Sequence, residues 1–271
     1  MLRGLRLPGH FGSAFLGLMT TVPLQTLVRY CDRVLRTPGL QDYDGAANGL
    51  QVGNRGRVTR VAAAVDASLA TVRMAIASRA DLLVVHHGLF WGGSHPWTGR
   101  RYELLRLLLD HNLAVYSSHL PLDCHPRLGN NAGLCAALGF RRLRPFFFER
   151  GAWLGWQARA RLSRAALSER LTRAVGRKPH LLACGPPLCE RIGVVSGGAG
   201  GELKRAADEG IDTFITGEGP HWTFPLAGDL GVNVFYAGHY ATETFGVKSL
   251  AAALTRRFRL PWTFLDHPSG L

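Results

Sequence analysis

Apolar positions along the chain recur at two alternating periods. Leu24, Leu27, Val28, Cys31, Val34 and Leu35 repeat at helical spacing, and Pro38-Gly39 ends that run. A turn-rich stretch over 42–53 closes on a short extended segment. Residues 58–65 then read as a strand, 68–79 as a helix, 82–85 as a buried strand, 101–111 as a helix and 114–117 as a strand. The order returns later, with strand 192–195, a glycine turn at 197–201, helix 202–209, strands 213–216 and 232–236, and helix 244–254. Such alternation predicts an α/β fold, a sheet wrapped by helices. The two stretches also align element by element, which suggests two related α/β halves. The pattern assigns no element to 140–190.

Three of these strands deliver histidines. Leu82-Leu-Val-Val ends on His86-His87, Val115-Tyr-Ser-Ser ends on His119, and Phe235-Tyr-Ala-Gly ends on His239. Four residues beyond the last two stand the carboxylates Asp123 and Glu243. A neutral ring nitrogen and an anionic oxygen suit a divalent transition ion, and these groups outnumber what one four-coordinate ion takes. The sequence therefore reads as a site for two metals.

Each group has a plainer alternative. Adjacent histidines on a regular strand point to opposite faces, so joint ligation by His86 and His87 requires the pleat to break at the strand end. Buried histidines also serve as hydrogen-bonded core residues. His239 and Glu243 share one face if their turn is helical, or Glu243 simply favours a helix start through the dipole. Asp123 can complete the site with His119 behind the ligands. Glu218 and His221 are candidate substrate or proton-transfer groups, and His95 and His125 are pocket or exposed loop residues. The run Gly197-Gly-Ala-Gly-Gly201 could cradle a phosphate with backbone amides or form a tight turn that needs positive φ. It matches neither the dinucleotide fingerprint nor a Walker loop.

Composition narrows the classes. The 271 residues are 46% hydrophobic, enough for one large or two smaller domains. No apolar run approaches the ~20 residues of a membrane span. Five cysteines without a Cys-x-x-Cys pair point to a reduced, cytoplasmic protein without disulfides. A net charge of +13 raises nucleic-acid binding. However, only three of the 32 basic residues are lysines, and the densest basic run is Arg141-Arg142 with Arg144. A solvated basic surface is the preferred reading, one whose field favours anionic small molecules. Residues 1–20 read as a disordered extension or an overextended start, with Met19 as the alternative first residue.

Several segments carry a family resemblance: Asn48-Gly-Leu-Gln-Val52, His86-His-Gly-Leu-Phe-Trp91, His119-Leu-Pro-Leu-Asp-Cys-His-Pro-Arg-Leu-Gly-Asn-Asn131, Phe214-Ile-Thr-Gly-Glu218 and Gly238-His-Tyr-Ala-Thr-Glu243. Together, and in this order, they resemble the GTP cyclohydrolase 1 type 2 homologue family, also called NIF-three-like, in its short bacterial form. The resemblance spans about 22–266. It implies two similar α/β subdomains with mixed sheets flanked by helices and a metal site in the cleft between them. The expected division is 21–127 plus 236–271 as the metal-binding domain and 128–235 as the second.

The resemblance also implies a homohexameric ring with two divalent ions per subunit, of Zn, Fe, Mn, Co or Ni. His87 and Asp123 would hold one ion, His86 and His239 the other, and Glu243 would bridge them. His221 departs from the family spacing. The implied activity is a metal-dependent hydrolase of an anionic, nucleotide-like or phosphorylated small molecule, with Glu218 and His119 as catalytic candidates. The alternatives are a non-catalytic metal-binding regulatory or scaffold ring and, behind it, a nucleic-acid-binding ring.

Overall fold

Two sets of aliphatic strands, each buried beneath helices, organise the chain. A computed structural model describes residues 20–91 and 96–271. The readings made for 1–19 and for His95 lie outside those residues.

The first sheet has the order Trp262–Phe264, Val61–Asp66, Leu82–His87, Ala114–Ser117, Gly49–Val52. Its first four strands run parallel and the last antiparallel. Ala62, Ala64, Leu83 and Val85 pack on one face against helices Leu69–Ala77 and Gly99–Asp110. Ala63, Leu82, Val84 and Tyr116 pack on the other against helices Leu24–Leu35 and Thr244–Phe258. A sheet covered on both faces needs continuous apolar runs, and the sequence Val-Ala-Ala-Ala-Val before Asp66 is one.

The second sheet has the order Arg144–Glu149, Ala152–Ser163, Leu188–Val194, Thr213–Thr216, Asn233–Tyr236, His180–Ala183. Its three parallel strands are Leu188–Val194, Thr213–Thr216 and Asn233–Tyr236. In both sheets, three consecutive parallel strands end against an antiparallel strand that precedes them in the chain. The internal similarity suggested by the sequence thus has a counterpart in topology, and the fold is α/β with mixed sheets flanked by helices. After Asn233–Tyr236 the chain returns, through Thr244–Phe258 and Trp262–Phe264, to the first sheet.

Several elements differ from the sequence expectation. The strand expected over 58–65 is two strands, Arg57–Val58 and Val61–Asp66. Between them, Asp81 Oδ2 accepts from Thr59 N and Thr59 Oγ1 at 2.6 Å and from Arg60 N at 3.1 Å, which draws the backbone out of the ladder. The strand expected over 82–85 continues through both histidines, with Asp66 opposite His87. Within 140–190 lie a hairpin, the helix Arg164–Val175 and the edge strand His180–Ala183. No helix among the described residues is long and apolar enough to cross a membrane, and all five cysteines are free thiols.

Two fully buried side chains, Asn130 and Asn131, fasten the sheets to each other. Asn130 Nδ2 donates to Asp123 Oδ1 at 2.8 Å, and its Oδ1 accepts from Gly246 N at 2.6 Å. Asn131 Nδ2 donates to Leu154 O at 2.7 Å, and its Oδ1 accepts from Ser196 N at 2.6 Å. Replacing Asn131 by Ala leaves a buried N–H and a buried carbonyl without partners. The expected loss is about 2–4 kcal/mol of unfolding free energy, read by urea titration. A loss below about 0.5 kcal/mol would show that these bonds are not holding the sheets.

Candidate metal centre

Glu243 stands at the middle of the centre, 3% exposed. It follows the helical turn His239–Thr242, which begins just past the strand Asn233–Tyr236, so the four-residue spacing brings its carboxylate back to His239. Its Oε1 lies 3.2 Å from His239 Nε2 and 3.5 Å from His86 Nε2, and its Oε2 lies 3.4 Å from His87 Nε2. Asp123, in the turn Leu120–Asp123 that follows the strand Ala114–Ser117, places Oδ2 3.5 Å from His86 Nε2.

Every ring in the group has its other nitrogen engaged. His86 Nδ1 is 2.9 Å from the Ser118 carbonyl, while His87, His119 and His239 place Nδ1 2.8 Å from Asp66, Asp42 and Glu218. A carbonyl or carboxylate acceptor makes Nδ1 the donor, so the neutral ring keeps its lone pair on Nε2. This is how histidines are oriented for metals. Buried His86 Nε2 and Glu243 Oε2 have no hydrogen-bond partner, although an orphaned buried polar atom is costly. The donor set of imidazole nitrogens and carboxylates fits Zn, Fe, Mn, Co or Ni. Two sets of ligand atoms, from His86, His87 and His119 and from His87, His239 and Glu243, each lie within 4.8 Å of one another.

The electrostatics follow from that crowding. Burial pulls the His86 pKa down, but the Asp123 and Glu243 charges outweigh it and lift the pKa to about 10. Burial opposes the His239 charge too, yet the Glu243 and Glu218 carboxylates raise its pKa to about 9. For Glu243, burial pushes upward and the His86, His239 and His87 rings overcome it, holding the carboxyl well below its usual range. Asp42 is likewise lowered: burial pushes it up, and the His119 ring, the Asn48 amide and the Tyr43 N–H together outweigh that.

A cavity of about 370 Å³ opens over the centre, walled by Tyr43, Trp91, Phe147 and Leu154. Trp91 stands edge-on to His119 with ring centroids 4.7 Å apart. Glu149 and Glu202 also line it, but Arg205 pairs with Glu149 and lies 3.9 Å from Glu202. Gly197, at φ 70°, lies against the carboxylate: a Cβ there would collide with Glu243 Oε1.

Residues 22–269 match the family model Duf34/NIF3 (NGG1p interacting factor 3). The chain belongs to this family. A Deinococcus radiodurans relative named GTP cyclohydrolase 1 type 2 homolog is 41% identical over 251 residues, which span 90% of this chain and 93% of that protein. A Halobacterium salinarum relative of the same name is 43% identical over 250 residues, 90% of this chain and 97% of its own. Among solved structures, TTHA1606 of Thermus thermophilus is similar at a TM-score of 0.85 and 40% identity, covering 92% of this chain and all 100% of that one.

Of the residues expected at the site, His86, His87, Asp123, His239 and Glu243 converge, and His119 joins them. His119 does not hold Asp123; Asn130 does, while Asp42 and Asn48 fix the His119 loop through Asp42 Oδ1 on the ring and Asn48 Oδ1 on the His119 backbone N–H at 2.7 Å. Glu218, expected as a proton-transfer group, has Oε1 engaged with His239. His125 Nδ1 accepts from Arg127 N and Leu128 N and serves its own turn, and His221 is exposed outside the cavity lining. The glycine run supplies a turn and close clearance at Gly197. Asp42, Asp66 and the paired asparagines are functional positions that the strand-end histidine motifs do not mark. Asp66 was signalled by its place at the end of the neighbouring apolar strand, and the others lie in or beside the quoted motifs.

Two outcomes are expected of the centre. In the metal-free chain His86 and His239, with pKa values raised to about 10 and about 9, hold protons at neutral pH that a metal must displace. Zinc affinity should therefore strengthen as pH rises from neutrality toward about 9, with proton release measured calorimetrically; a pH-independent affinity would contradict it. Gly197→Ala should lower bound metal per chain by disturbing Glu243 and straining a positive φ, as read by elemental analysis.

Proposed function

We propose that this chain binds two divalent ions and is a hydrolase of a nucleotide-like or otherwise phosphorylated small molecule. The observation that carries the reading is the division of labour at Glu243: one oxygen addresses His86 and His239, the other addresses His87. On that division His86 and His239 would hold one ion and His87 the other, with Glu243 shared between them, and Asp123, whose Oδ2 lies 3.5 Å from His86 Nε2, would complete the set beside His87 as the resemblance implies. A pair of such ions, when bound, lowers the pKa of a water and polarises a carbonyl, ring carbon or phosphoryl group.

The protein's own groups would do the rest. His119 Nε2, with Nδ1 fixed by Asp42, is available to take or return a proton beside the cavity. Glu218 holds the His239 ring in place. Tyr43, Trp91 and Phe147 form a wall suited to a planar ring, and the relatives' name makes a purine nucleotide the first substrate to try. Assembly as a homohexameric ring in the cytoplasm belongs to the same reading.

The test is metal content per chain for the wild type and Glu243→Ala, followed by a turnover screen of nucleotides, phosphate esters and amides with the metal restored. We expect about two ions per wild-type chain, loss in the variant, and turnover that the variant abolishes. Two ions without turnover would favour a regulatory or scaffold role, and no bound metal would end both readings.

A further inference from the structure

A second feature lies apart from the metal cavity and shares no lining residue with it. Between residues 141–144, which lead into the strand Arg144–Glu149, and the strand Ala152–Ser163 is a depression of about 330 Å³ lined by Arg141, Arg142, Arg144, Gln157, Ala158 and Arg159. All four arginines are exposed, and Arg142 holds a left-handed backbone at φ 57°. Among the described residues, none of the four has a carboxylate within ion-pair distance, whereas adjacent arginines do: Arg161 lies 3.7 Å from Glu190 and Arg191 3.6 Å from Asp212. Residues 1–19 and 92–95 contain no Asp or Glu that could supply one. Arg144 pairs with Gln157 across two strands and Arg159 stands two positions beyond Gln157 on the same face, so guanidinium groups gather where like charges disfavour each other.

We propose that this depression binds a compact oligophosphate group, either as a free polyphosphate or as the phosphate chain of a nucleotide. A guanidinium is a planar fork whose donors match phosphate oxygens two at a time, and its charge persists at any physiological pH. Forks arriving from two directions, the turn and the strand, suit an anion carrying several charges on a few atoms. The Gln157 amide, facing Arg144 across the strand pair, adds uncharged donors. An extended nucleic-acid strand is less well served, because the lining offers no aromatic platform for its bases.

The experiment is calorimetric titration of the full metal-loaded protein with inorganic triphosphate, repeated for Glu243→Ala and for the double variant Arg142→Ala/Arg159→Ala. Wild type and Glu243→Ala should each bind triphosphate at this site, and adding the two arginine substitutions to Glu243→Ala should weaken that binding at least about tenfold. The double variant should keep its metal content and melting temperature. In the Glu243→Ala background, equal affinity for triphosphate and for guanosine and adenosine triphosphates would identify recognition of the phosphate chain alone. Tighter nucleotide binding that the arginine substitutions abolish would identify a nucleotide as the source. Triphosphate binding that, in the Glu243→Ala background, survives loss of both arginines, that disappears with Glu243 alone, or that is replaced by binding of single-stranded RNA alone would overturn the proposal.

Discussion

A carboxylate removed from water must be neutralised where it lies, and Glu243 imposes that demand on the whole centre. Desolvating an isolated ion costs several kcal/mol even after relaxation. Here the cost is offset by three imidazoles whose Nε2 atoms approach within 3.5 Å. Those rings are held by acceptors behind them, and the acceptors come from separate parts of the chain: Ser118 and Asp66 beside the first sheet, Glu218 beside the second. The arrangement accepts protons or metal ions in the same positions.

The two adjacent histidines illustrate how the fold meets this demand. Side chains at neighbouring strand positions begin on opposite faces. His86 is drawn toward Ser118, past the strand on one side, and His87 toward Asp66, at the end of the strand on the other. Both Nε2 atoms then reach Glu243 without a break in the strand. Asn130 connects Asp123 to the backbone of Gly246, and Asn131 ties the next position to the hairpin and to Ser196. Gly197 leaves room for the carboxylate where any side chain would occupy it.

Charge is divided between interior and surface. Inside, carboxylates and imidazoles compensate one another atom by atom. On the second sheet, arginines near 141–144 and 159 lack such partners, so part of the +13 net charge is gathered into one concave place instead of being spread evenly. The hairpin that carries them also carries Phe147, Leu154 and Glu149 into the wall of the metal cavity.

By itself, the sequence determined the alternation of helices and strands, the matching order of the two halves and the histidine and carboxylate positions, because hydrophobic periodicity and strand-end motifs are local. The helix Leu24–Leu35 and the strands Ala114–Ser117 and Thr213–Thr216 fall where their patterns place them. The hairpin from 144 to 163 carries no such local signal, and neither does the break at Thr59, since Asp81 causes it from 22 positions away. Only tertiary structure decided that His119 takes Asp42 as its partner, that Glu218 stands behind His239, and that Asn130 rather than His119 holds Asp123. Those choices depend on contacts between distant segments, and spacing along a chain carries no record of which acceptor a ring will meet when two sheets close on it.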